Sequence, residues 1–185
     1  MDIARAVAHF NYLQPTPLPF QVQNFDRLAC SLQDLRCVTS GTLRLIAVAL
    51  PSGLRFSFVA FLSGTTALSG GKNQWAVLLS ETRLLQQVSA DRTSSAWGAN
   101  RLVTFKFDAP YPVRAPGMFY IGLLVNATTP PSLQGIRDVN NAAALLAPAI
   151  SGDSTSGLAG PQSFAGTARA PAGANAGMKP YVLLG

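Results

Sequence analysis

Residues 110–131, PYPVRAPGMFYIGLLVNATTPP, decide the fold of this chain. Within them, residues 118–125 form an unbroken run of apolar and glycine residues with prolines on both sides. Crossing a bilayer as a helix takes about 20 consecutive apolar residues. No stretch of the sequence approaches that length, so no membrane span is expected. A core helix also fits poorly, because the run is short, rich in aromatic and branched side chains, and holds Gly122 inside it. Length and composition predict a strand buried on both faces.

The segments upstream carry the same signature. TLRLIAVAL (42–50) ends at Pro51-Ser52-Gly53, and LRFSFVAFL (54–62) follows at once. The two-residue period of a strand puts Leu54, Phe56, Phe58, Ala60 and Leu62 on one face, with Arg55 and Ser57 beginning the other. QWAVLLS (74–80) and RLLQQVSA (83–90), joined by Glu81-Thr82, read as a hairpin. In RLVTFKFD (101–108), Val103, Phe105 and Phe107 point one way and Leu102, Thr104 and Lys106 the other. YVLLG closes the chain as a last short strand. About seven or eight such strands without an amphipathic helix predict an all-β fold, an antiparallel β-sandwich. A jelly-roll-like form is expected because long links alternate with short hairpins.

Three parts follow along the chain: an extended N-terminal arm (1–27), the sandwich (28–138), and an Ala/Gly/Pro-rich excursion (139–185) returning with a final edge strand. SFAGTARA (163–170) is a candidate edge strand within the excursion. Pro15, Pro17 and Pro19 stand at every second position, which favours an extended, polyproline-like arm. Phe10, Tyr12, Leu18 and Phe20 on such an arm are unfavourable to leave in water. The arm, with Phe10, Tyr12, Pro15, Pro17, Leu18, Pro19 and Phe20 as anchoring residues, is therefore expected to dock on its own sandwich or on a neighbouring chain. Deleting residues 1–24 is expected to leave the sandwich folded.

Composition narrows the function classes. The 185 residues suffice for a real core without a disulfide or metal. Charged residues are only 12% against 48% apolar, which suits a β-rich protein partly covered by neighbours. The net charge of +6 is spread over scattered arginines rather than a stripe interleaved with aromatics, so no nucleic-acid partner is expected. Cys30 and Cys37 match neither a redox pair nor a zinc knuckle. They are read as buried thiols, with a disulfide open if they lie on facing strands. No signal peptide is indicated at MDIARAVAHFNYLQ.

Chemistry is sparse. A nucleophilic triad would have to use His9, the sole histidine, which sits in the arm. Asp91 and Asp108 flank one strand and are the carboxylates to watch for acid–base work, although turn acids usually have structural uses. SGGKN lacks the spacing of a phosphate loop. No metal, cofactor or catalytic residue is expected. Trp97, in the polar loop RTSSAWGANR, can stack on a sugar ring of a host cell-surface glycan or else cover one end of the core. Trp75, opening a strand, is expected in the core. Asn126-Ala127-Thr128 spells a glycosylation sequon.

Residues 41–133 also resemble a β-sandwich module of virion proteins from tailed bacteriophages, especially those of high-GC actinobacterial hosts. The cues, in order, are SGTTALSG, NQWAVLLS, SADRTSSAWGAN and RLVTFKFDAPYPVRAPGMFYIGLLVNATTPPSL. The resemblance implies a non-enzymatic structural or adhesin role in the virion. A minor tail protein or fibre subunit is preferred, and a capsid decoration or head-fibre protein is the alternative. It implies other virion proteins as partners through the arm and a homo-oligomer, for instance a trimer. It carries over no catalytic residue. A free carbohydrate-binding module using Trp97 is the further alternative.

Overall fold

The computed structural model describes residues 21–25, 32–93, 95–137, 151–160, 168–169 and 178–185. Twelve strands and no helix occur among them. A five-stranded sheet is built from β3 (Arg44–Leu50), β5 (Ser69–Leu79), β6 (Leu85–Val88), β8 (Gly117–Thr129) and β10 (Ser151–Asp153), in the order β10-β3-β8-β5-β6. A four-stranded sheet runs β1-β12-β4-β7, from β1 (Val22–Gln23), β4 (Arg55–Leu62), β7 (Leu102–Pro112) and β12 (Val182–Leu184). A small third sheet, β11-β9-β2, joins β2 (Gln33–Leu35), β9 (Leu133–Arg137) and β11 (Met178–Pro180). All pairings are antiparallel. The chain is an all-β, antiparallel sandwich.

The octet at 118–125 is the spine of the five-stranded sheet. Ile121, Leu123 and Val125 join the core between the large sheets, against Val59 and Phe61 of β4 and Val103 and Phe105 of β7. Tyr120 and Leu124 face the other way, into a second cluster with Leu43, Trp75, Val77 and Leu79 that Leu158 and Ala168 cover. Burial on both faces is why the run alternates in neither polarity nor size. Each fully buried Leu or Ile contributes about 1.5–3 kcal/mol. Gly122 has a packing reason: a Cβ there would lie 2.5 Å from Val77 Cγ2 and 2.8 Å from Leu43 Cδ1.

The hairpin at 74–90 forms as expected, with Leu78 opposite Gln87 and Leu79 opposite Leu85. The alternation in 101–108 also holds, since Val103, Phe105 and Phe107 are buried while Leu102 and Lys106 are exposed. The alternation expected in 54–62 does not. Phe56, Val59 and Phe61 face the central core, whereas Phe58, Ala60 and Leu62 face outward to a third cluster with Phe25, Ile136, Tyr181 and Leu183. A β-bulge is the cause: the N–H groups of Ser57 and Phe58 both donate to the Gly185 carbonyl, at 2.7 and 3.0 Å. One extra residue flips every later side chain to the opposite face.

The chain's ends also differ from expectation. The last strand is not an edge, because β12 lies between β4 and β1, with Leu184 opposite both Val59 and Val22. Val22–Gln23 and the buried Phe25, inside the expected arm, thus belong to the sandwich. SFAGTARA falls outside the described residues except for Ala168 and Arg169, which form no strand. The anchoring residues Phe10, Tyr12, Pro15, Pro17, Leu18, Pro19 and Phe20 lie outside the described residues, as do His9 and Cys30.

Candidate functional site at the loop end and the root of the arm

Two places could carry contacts: the end of the sandwich where loop 91–101 closes over the core, and the root from which residues 1–20 depart. The loop is held from within. The Asp91 carboxylate accepts hydrogen bonds from Gln74 N–H (2.9 Å), Thr93 N–H (3.0 Å), the Thr93 hydroxyl (2.7 Å) and the Asn73 side-chain amide (3.1 Å). Burial alone would raise its pKa, but these donors hold it below the ordinary carboxylate range. This is the structural use of a turn Asp. Asp108 is exposed on β7. Among the described residues no three His, Cys, Asp or Glu side chains gather where a metal could sit.

Arg92 donates from its guanidinium to the Thr104 carbonyl at 2.6 Å and stands 5.2 Å from the Phe105 ring centroid. Beyond it, Leu68 N–H donates to the Trp97 carbonyl (3.1 Å) and Asn100 N–H to the Gly64 carbonyl (2.8 Å). Ser63 Oγ accepts from Arg101 N–H at 2.8 Å and lies 2.7 Å from the Gly98 carbonyl, to which it can donate. These bonds drive the Trp97 indole inward. It is 2% exposed and packs edge-on against Phe105, with centroids 5.6 Å apart. The glycan contact considered for Trp97 is therefore corrected: a ring this buried offers no face to a sugar. Trp75 is likewise core.

Two clefts of mixed lining open on the described surface. One, about 430 Å³, is lined by Ser40, Lys72, Asn73, Asn126 and Thr128 among others, and the second, about 390 Å³, includes Arg36, Thr66 and Ser132. Neither contains an aromatic ring. Much of their polar lining is already bonded within the protein: Ser40 Oγ accepts from Ala127 N–H, and the Asn126 amide of the sequon donates to the Ala159 carbonyl. Asp34, behind the second cleft, accepts from Thr65 N–H and the Thr65 hydroxyl. Burial would raise its pKa, but bonds from Ser132 and Thr65 lower it overall.

The root of the arm is a clamp that sequence reading missed. Asn24 donates from Nδ2 to the Pro180 carbonyl (2.8 Å), accepts at Oδ1 from Val182 N–H (2.9 Å), and donates its own N–H to the Val182 carbonyl (3.2 Å). Phe25 stacks edge-on to Tyr181 at 5.6 Å. Arg44 was missed too, having been counted only among the scattered arginines. It is 3% exposed and donates to the Met178 carbonyl (2.6 Å) and Ser151 Oγ (3.0 Å), with Asp153 at 3.6 Å. A lone arginine inside the apolar run TLRLIAVAL was the available signal. Asn24 gave none, because its partners lie 156 and 158 residues away. Cys37 is a free, buried thiol whose pKa burial pushes up to about 11, which makes it unreactive.

No protein-family model matches the chain, and a search of curated proteins finds no similar sequence. No helix among the described residues is long and apolar enough to cross a membrane.

Proposed function

We propose that this chain is a non-enzymatic structural protein of a bacteriophage virion, most simply a minor tail protein or fibre subunit, with head decoration as the alternative placement. One observation carries the reading: the segments that resemble the phage module all build scaffold. NQWAVLLS supplies the β5 core, SADRTSSAWGAN closes the end of the sandwich, and residues 117–125 form its spine. Of the carboxylate pair within this region, Asp91 is tied to turn donors and Asp108 is exposed on β7. A jelly-roll form is supported by the insertion of β8 between β3 and β5 and by the links β3–β4, β4–β5, β6–β7 and β7–β8, which pass between the sheets. The free glycan-binding alternative loses its platform with Trp97 buried.

The test is immunodetection of the chain in particles purified from phage lysates of the source. Co-sedimentation at a fixed ratio to the other virion proteins is the expected result, and a chain left wholly in the soluble fraction would overturn the reading. Anchoring by the arm is tested by deleting residues 1–20, since a cut at 24 would remove β1 and the Asn24 clamp. The shortened chain should fold but stay out of particles, and undiminished incorporation would defeat the anchoring role.

A further inference from the structure

We propose that the loop end of the sandwich binds an internal water molecule, held by the side-chain amide of Gln74 and the indole N–H of Trp97. Both side chains are deeply buried, at 1% and 2% exposed. Gln74 Oε1, Gln74 Nε2 and Trp97 Nε1 have no hydrogen-bond partner among the described residues. Buried polar side chains are nearly always satisfied, and a buried indole N–H usually finds an acceptor. Three orphaned polar atoms at one end of an apolar core therefore point to a small polar ligand.

The fold brings the two side chains to the same place. Gln74 precedes Ala76 and Leu78 at alternate positions of β5, on the side facing the central core that Trp97 closes. Its backbone is tied twice to the loop that carries Trp97. The Gln74 N–H donates to the Asp91 carboxylate (2.9 Å), and its carbonyl accepts from Arg92 N–H (3.0 Å). The Arg92 guanidinium and the Trp97 indole then share one ring, lying 5.2 and 5.6 Å from the Phe105 centroid. On the other flank, a Cβ at Gly71 would lie 3.4 Å from Gln74 Nε2 and 2.6 Å from Leu68 Cδ2. The amide thus neighbours Leu68, whose own N–H donates to the Trp97 carbonyl (3.1 Å).

The set of free atoms selects the occupant. Gln74 offers an acceptor oxygen and an amide donor, and Trp97 offers a donor only. Water can accept from both donors and give a proton to the oxygen. An anion would meet the Gln74 oxygen, and a cation would meet two N–H groups, each without the compensation a buried charge requires. A chain of this size ordinarily holds a few such waters, at about one per 27 residues with about three hydrogen bonds each. Loop 91–101 then rests on β5 by direct bonds at Asp91 and through water at Trp97. Gln74 is the positioning residue of that second joint, and the site is independent of the assembly role proposed above.

The experiment is water-selective NMR on the purified, ¹⁵N-labelled full chain. The indole proton of Trp97 and the side-chain amide protons of Gln74 should both show cross-peaks to water, with the NOE and ROE opposite in sign, as for a water held longer than the molecule tumbles. Gln74→Met keeps the length of the side chain and removes the amide. It should abolish the Trp97 cross-peak and lower the urea midpoint, because the water then loses its acceptor. Wild-type spectra without a water peak at either residue, as a direct Gln74–Trp97 bond would give, would overturn the proposal. So would a Trp97 peak that survives in Gln74→Met, or a midpoint that rises, since relief on removing the amide means that nothing was bound to it. The wild-type spectra decide the matter even where the variant fails to fold.

Discussion

The middle of the five-stranded sheet and the short strands that close the fold are held by different means. β3, β5 and β8 are seven to thirteen residues long and meet through long ladders lined by buried apolar side chains. β1, β10, β11 and β12 have two or three residues each. Ladders that short recover little of the entropy spent in ordering them. Polar side chains anchor them: Asn24 holds β1 to the turn between β11 and β12, and Arg44 holds both β10 and β11 to β3. The centre rests on non-directional burial, which many residues share, whereas the ends rest on a few directional bonds. Damage to the first should unfold the whole molecule, and damage to the second should loosen one region.

The largest effect is expected from Trp97→Ala. It removes a fully buried indole that braces Phe105 and should lower global stability by about 3–5 kcal/mol, read as a fall in the urea midpoint. A loss below about 1 kcal/mol would return Trp97 to the surface and weaken the account of the loop end. Next is Arg44→Ala, which leaves the Met178 carbonyl and Ser151 hydroxyl without their donor, at about 2–3 kcal/mol. Its signature is local: hydrogen exchange should quicken at 151–153 and 178–184 while 118–125 stays protected. Equal quickening in both places would break the comparison, because ends and centre would then open as one unit. Arg44→Met, refilling the space with an apolar stem, should be milder.

The smallest effect is a pH dependence. The folded-state pKa of Asp91 lies below its ordinary value, so the unfolded chain binds the proton more readily. Its contribution is present above the ordinary carboxylate pKa near 4 and is lost as pH falls through the folded value. Asp91→Asn should flatten that slope in melts between about pH 5 and pH 3, by only a few tenths of a kcal/mol given its exposure to solvent. A slope that is unchanged in the variant would assign the acid sensitivity elsewhere.

What was legible in the sequence follows the range of the forces involved. The strand at 118–125, the hairpin at 74–90 and the alternation at 103–107 all rest on neighbours in sequence, and all stand in the structure. The single face expected of Leu54, Phe56, Phe58, Ala60 and Leu62 failed because the bulge at Ser57 and Phe58 is made by the Gly185 carbonyl, which no local pattern announces. Trp97 could be read either as a platform or as a lid, since a loop tryptophan looks the same in both until its surroundings are known.

The amino-acid order by itself determined that this is a β protein with its greasiest strand in the middle, because the two-residue period and the sealed apolar run are properties of consecutive side chains. Only the tertiary structure decided that the last strand lies inside a sheet and that Arg44 and Asn24 are clamps. Those features depend on partners more than a hundred residues apart, and chain closure over such distances is set by packing as a whole rather than by any local preference.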